Sequence, residues 1–329
     1  MKKFLSLLLS LALLLSCLLV GCAKEEEMTH ITISEVTHSV FYAPQYAAIK
    51  LGYFEEEGLD VELINGQGAD KVMTAVISGQ VEIGLAGPEA TIYVYNEGKE
   101  DYAQVFAQIT KRDGSFIMAR EPDPDFSYEK LAGKHLLAGR KGGMPCMTLE
   151  YVLKQHGLST SDLEFDTSVE FGLMAGAFAG GTGDYTTMFE PTATMMEQEG
   201  SGYIVASVGQ DSGEIPYTAY FALKSYIDEN GETVQKFTNA IAKAQKWLAE
   251  AEPREIAETI AEFFPDTDLE VLEQVAARYQ EIDAWMGDPF MTEDSFNRLQ
   301  DVMEGAGELS NRAPYSELVN NTFAEKAMK

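Results

Sequence analysis

The run Phe41-Tyr42-Ala43-Pro44-Gln45-Tyr46-Ala47-Ala48-Ile49-Lys50-Leu51-Gly52-Tyr53-Phe54-Glu55-Glu56-Glu57-Gly58-Leu59-Asp60-Val61 carries most of what the sequence says about architecture. Ala43 to Glu57 is a helical stretch, and Gly58, after the acidic run, is placed to cap its C-terminus. Upstream, His30 to Ser34 alternates apolar and polar residues as a strand does, and downstream Asp60 to Ile64 alternates again. Short strands alternating with helices are the signature of parallel α/β sheets.

The pattern continues outward. Gly66-Gln67-Gly68 opens a helix from Ala69 to Ser78 that stops at Gly79; Val81 to Ala86 is a strand, and Gly87-Pro88-Glu89 starts another helix. Val105 to Thr110 is a strand, Lys111 to Gly114 a polar turn, and Ser115 to Arg120 a further strand. The Pro-rich Glu121–Asp125 segment reads as a change of domain. A second α/β unit follows, with strands at His135–Ala138, Phe165–Val169, Tyr185–Phe189 and Tyr203–Val208 and helices at Met147–Gln155, Gly172–Ala179 and after Glu190-Pro191. Tyr217 to Leu223 reads as a strand returning to the first unit. Beyond Asn230 the apolar stripes Phe237, Ile241, Ala244, Leu248 and Ile256, Ile260, Phe263 have helical spacing and belong to the core. The expected fold class is therefore α/β with two lobes: residues 30–112 plus 217–329 form lobe 1, and 113–216 form lobe 2. The chain crosses twice, near Thr110–Phe116 and Ile215–Phe221, and a ligand cleft lies between the lobes.

Composition narrows the function. The 329 residues include 53 acidic and 24 basic side chains, a net charge of −29, with 45% apolar and 10% aromatic residues. Such apolar content excludes disorder for the bulk of the chain. The acidity excludes a phosphate-neutralising nucleic-acid partner and a broad grip on anionic lipid. Lys2 and Lys3 precede an apolar run, Phe4 to Val20, of 17 residues. It ends in Leu19-Val20-Gly21-Cys22, which resembles the bacterial lipoprotein signal. That resemblance implies a signal peptide at 1–21, lipidation of Cys22, a tether at 22–29, and a protein anchored by lipid to the extracytoplasmic face of the cell membrane. Losing Lys2 and Lys3 takes the charge to −31. With Cys17 gone and Cys22 lipidated, Cys146 stands alone and no internal disulfide forms. It reads as a small buried residue, with no base nearby in sequence to activate it.

The Phe41–Val61 segment, together with Gly79-Gln80-Val81-Glu82-Ile83-Gly84, Gly142-Gly143-Met144-Pro145 with Met147–Tyr151, and Gly183-Asp184-Tyr185 with Phe189-Glu190-Pro191, resembles periplasmic binding proteins of one branch. That branch serves thiamine-pyrimidine, riboflavin, aliphatic-sulfonate, taurine and nitrate importers, and the resemblance runs from Ile31 to Phe323. It implies a type II periplasmic-binding fold that closes over a small solute and delivers it to an ABC importer, its partners being the permease and its ATPase. No catalysis, cofactor or nucleic acid is implied, and a monomer is expected; an extracytoplasmic enzyme or a ligand sensor on the same fold are the further alternatives. The cysteine-rich motif of the related pyrimidine-synthesising enzymes is missing from the sequence.

Candidate ligand contacts follow from chemistry. Phe41 and Tyr42, at a strand end, can stack on a flat ring; Trp285, in a loop-like stretch, serves either as a cleft wall or as interhelix packing. Gly68, and Gly87 with Glu89, stand at helix starts, where free N–H groups suit an oxygen; Gly142, Gly143 and Met144 offer the same from the opposite lobe. Glu190 can accept from an N–H donor or simply favour a helix start. Asp113 and Ser115 lie on the first crossing and either reach the cleft or make the turn. His30, His38, His135 and His156 show no metal-ligand spacing, so no metal is expected. The aromatic residues with Glu89, Asp113 and Glu190 point to a flat, nitrogen-bearing ligand such as a thiamine-precursor pyrimidine. Lys111, Arg112, Arg140 and Lys141 keep sulfonate, taurine or nitrate as the alternative.

Overall fold

The computed structural model describes residues 28–329, so the signal segment, Cys22 and most of the tether lie outside it. Strands β1 (Thr29–Glu35), β2 (Leu59–Asn65), β3 (Ile83–Ala86), β4 (Ala103–Thr110) and β10 (Thr218–Leu223) form one sheet in the order β2-β1-β3-β10-β4. Strands β5 (Ser115–Ala119), β6 (His135–Leu137), β7 (Glu164–Asp166), β8 (Tyr185–Phe189) and β9 (Tyr203–Ser207) form the other in the order β7-β6-β8-β5-β9. The expectation of parallel sheets needs correction: both are mixed. β10 runs antiparallel between β3 and β4, and β5 runs antiparallel between β8 and β9. These are the strands by which the chain enters the second sheet and returns to the first, so each arrives without the crossover helix that would make it parallel.

The chain leaves the first sheet after Thr110, joins the second at Ser115, and returns between Ser207 and Thr218. The Pro-rich Glu121–Asp125 segment does not mark this switch, because β5 before it already pairs with β8 and β9. β4 and β5 are buried along their whole length, as strands covered on both faces must be. The Ala43–Glu57 helix breaks in two, Ala43–Lys50 and Tyr53–Glu56, because Gly52 adopts a left-handed conformation between them.

Helices after β10 stitch the two sheets together. Gly231–Glu250 buries Val234, Phe237, Ile241 and Leu248 against the first sheet. Leu269–Glu281 packs against both Pro253–Ile260 and the second unit's Thr192–Glu199. Among the described residues no helix is long and apolar enough to cross a membrane.

Candidate functional site

A cleft of about 530 Å3 opens between the sheets, walled by the loops after β1, β2 and β3 on one side and by those after β6, β7 and β8 on the other. Sequence puts it there: strand C-termini end in exposed loops, and in open α/β sheets those loops converge on the ligand.

One wall is aromatic. Phe41 packs at 5.9 Å from Phe189, 5.7 Å from Tyr217 and 6.0 Å from Tyr42, measured between ring centroids. Phe171 meets Phe189 edge-on at 5.6 Å and extends the wall outward, where it is largely exposed. Phe41 is held from behind: its carbonyl accepts the Trp285 indole N–H at 2.9 Å, and its ring lies against the bare Cα of Gly114, where a Cβ would stand 2.6 Å away.

The polar feature of the cleft is Glu89, at the start of the Glu89–Asn96 helix. It is 3% exposed, and its Oε2 has no hydrogen-bond partner. Burial pushes its carboxyl up to about 7, opposed by its own amide, the Arg140 charge and the Met144 amide. Arg140 and Met144 belong to the second unit, so Glu89 faces across the cleft. Gly87 makes room for it, since a Cβ there would lie 2.0 Å from Glu89 Oε2.

Of the residues picked from the sequence, Phe41, Tyr42, Gly68, Gly87, Glu89, Gly143 and Met144 line this cleft. The amides of Gly68 and Gly143 are already engaged, by the carbonyls of Val36 and Arg140. Five others do not line it. Glu190 is turned away into a buried network: it accepts from Arg278 at 2.5 Å and from the Thr194 amide and hydroxyl at 2.9 Å each. Trp285 is packed behind Phe41 and against Tyr279. The Gly142 carbonyl accepts the Tyr93 hydroxyl at 3.1 Å. Asp113 and Ser115 lie fully buried behind Tyr217, with the Ser115 amide donating to Asp113 at 2.6 Å. Burial pushes the Asp113 carboxyl up to about 6. Asp113 Oδ2, Ser115 Oγ and Tyr217 Oη all lack partners. Cys146 is buried, and burial, reinforced by Glu150, pushes its thiol up to about 12.

Phe189 and Tyr217 escaped the sequence reading although both line the cleft. The signal was available at Phe189: adjacent residues of an extended chain point to opposite faces, so Phe189 and Glu190 cannot both face the ligand. Lys71, Asn65, Thr187 and Thr218 also line the cleft, and none belongs to a motif that would flag it.

A model of the family described as NMT1/THI5 like matches residues 40–256. The chain belongs to the NMT1/THI5-like family. It is 44% identical over 309 residues to the candidate binding protein YtlA of Bacillus subtilis, covering 94% of this chain and 92% of that one. It is 24% identical over 257 residues to the 4-amino-5-hydroxymethyl-2-methylpyrimidine phosphate synthase of Candida albicans, with 70% of each chain covered. Among solved structures, this NMT1/THI5-like chain superposes on the alkanesulfonate-binding protein SsuA from Xanthomonas axonopodis bound to MOPS, with TM-score 0.73, 17% identity, and 90% and 99% of the two chains covered. That likeness establishes the two-lobed periplasmic-binding fold for this member of the family.

Proposed function

We propose that the protein is an extracytoplasmic solute-binding lipoprotein, anchored through Cys22, whose lobes close over a small, flat heteroaromatic ligand and present it to an ABC importer. The observation that carries this reading is the pairing, in one interlobe cleft, of the Phe41–Phe189–Tyr217 wall with the buried, unpartnered Glu89 carboxyl. Rings stack on rings, and a carboxyl with a free oxygen seeks an N–H. The described residues that line the cleft include no Cys or His, and we read the site as one of binding. The family and YtlA support the same class.

A second reading, capture of a sulfonate, taurine or nitrate, draws on Lys71 and Arg140 in the cleft lining and on the MOPS-bound relative. Thermal unfolding of protein stripped of ligand by denaturing and refolding separates the two. A ligand at about 100 times its Kd adds roughly 2.7 kcal/mol. Stabilisation by pyrimidine precursors or riboflavin supports the first reading; stabilisation by sulfonates, taurine or nitrate alone replaces it with the second. Radiolabelled fatty acid incorporated by the wild type and lost in Cys22→Ala tests the anchor.

A further inference from the structure

Next to the loop that carries Phe41, a buried carboxylate is held by a set of donors. Glu35 ends β1 and is 1% exposed. Its Oε2 accepts from the Gln45 side-chain amide and from the Tyr46 hydroxyl at 2.8 Å each, and its Oε1 meets His38 Nδ1 at 2.9 Å. The other ring nitrogen of His38, Nε2, lies 2.7 Å from the main-chain carbonyl of Phe263. A carbonyl can only accept, and so can a carboxylate that already takes two donors. Both nitrogens of His38 therefore face acceptors and carry protons, which makes the ring an imidazolium. Phe264 stacks on it at 4.7 Å and Tyr46 meets it edge-on at 4.9 Å, between ring centroids. Among the described residues His38 is the one cation paired with Glu35. The other titratable group facing it is Tyr46, which burial keeps neutral. Lys50 and Glu262, on the Ala43–Lys50 helix and the Ala261–Phe263 turn, are paired with each other. The bond to Glu35 holds the His38 pKa above its ordinary 6.5, against the pull of burial.

We infer that the His38 imidazolium is a positioning residue of the cleft, holding the loop that carries Phe41, and that this loop loosens when the ring gives up its proton. A chain of hydrogen bonds makes the connection. Tyr46, which donates to Glu35, accepts the Ser39 amide at 3.3 Å; Ser39 Oγ accepts the Phe41 amide at 3.2 Å; and the Phe41 carbonyl accepts the Trp285 indole N–H. Val36, Thr37 and Ser39, on either side of His38, line the cleft. Losing the proton strips one ring nitrogen of its donor. Either the buried Glu35 carboxylate then lacks its counter-ion or the Phe263 carbonyl is left unpaired. Because the folded pKa is the raised one, the contribution is complete below pH 6.5 and is lost as pH rises through the folded value. The role is the same whichever solute the cleft takes.

The test is an NMR titration of the unliganded full chain in detergent micelles, from about pH 5.5 to 9. Imidazole nitrogen shifts give the protonation state of His38. The indole N–H signals of the two tryptophans, Trp247 and Trp285, report the segment bonded to Phe41. His38→Gln and Trp247→Phe assign the signals. The expected result is a doubly protonated His38 ring with its midpoint above 6.5, and a Trp285 indole signal that shifts with the same midpoint. In His38→Gln that shift disappears. In Glu35→Gln, which keeps the shape but not the charge, the His38 midpoint falls to 6.5 or below and the Trp285 shift follows it; this variant carries the test if His38→Gln does not fold. A wild-type His38 midpoint at or below 6.5 overturns the inference, and so does a Trp285 signal that ignores the titration of His38 or keeps its shift in His38→Gln.

Discussion

The indole N–H of Trp285 donates to the main-chain carbonyl of Phe41 at 2.9 Å, joining the C-terminal helical region to the aromatic wall of the cleft. The carbonyl is buried, so removing its donor leaves it unpaired. Trp285→Phe is expected to cost about 1–3 kcal/mol, measured as a lower midpoint in urea. Ligand affinity falls with it, because the bond fixes the segment that carries the Phe41 ring.

Arg278 reaches from the Leu269–Glu281 helix to Glu190 and Glu197 of the second unit, at 2.5 and 3.0 Å. The Glu190 side chain is fully buried. Arg278→Met leaves it uncompensated and should cost about 3–5 kcal/mol in chemical denaturation. Glu190→Gln in the same chain should restore much of that loss. A single-variant cost below about 1 kcal/mol would show that the pair does not hold the units together.

Gly114→Ala places a Cβ 2.6 Å from the Phe41 ring, with no flexible chain end to yield. The expected penalty is about 1–3 kcal/mol, as for other overpacked cores. A calorimetric titration with whichever ligand stabilises the wild type should show weaker binding. Unchanged affinity would mean that Phe41 contributes only to the core.

Asp113 is held above its ordinary range, up to about 6, chiefly by burial. An acid whose folded pKa exceeds its unfolded one takes up a proton on folding, so its contribution to stability falls as pH rises. The penalty is nil below the unfolded value near 4 and complete above about 6. Asp113→Asn should therefore gain on wild type across that window, by an amount on the order of 2 kcal/mol. Denaturation at pH 4.5 and pH 7 reads the difference directly; equal slopes for the two proteins would contradict it.

The alternation of strand and helix was legible because it rests on local periodicity, and the strands at Tyr185–Phe189 and the helix after Glu89 fall where the pattern sets them. Strand direction was not, because β10 and β5 take their sense from partners far away in sequence. The cleft was legible in part for the same reason. Phe41, Tyr42 and Glu89 sit at the ends of elements that could be drawn from the sequence. Glu190 takes the helix-start role that the sequence left open, through the amide and hydroxyl of Thr194, while its ion-pair partner Arg278 lies 88 residues downstream, where nothing near Glu190 announces it. Asp113 misled through burial: it stands on the crossing, as expected, but behind Tyr217 instead of in front of it.

β10 lies inside the first sheet, between β3 and the edge strand β4, yet it is the last of that sheet's strands in the chain. During synthesis, β3, which already has β1 on its other side, and β4 must wait without the strand that joins them while all five strands of the second sheet are made. A nascent chain that stops anywhere before Leu223 holds a first sheet split in two, with a bare edge on each side of the gap. Assembly of that sheet is therefore a late, non-local event, because β10 pairs with β3 and β4, which precede the whole of the second sheet in the chain. Until it occurs, the facing edges of β3 and β4 stand open to pairing with other chains, as any unpaired strand edge does.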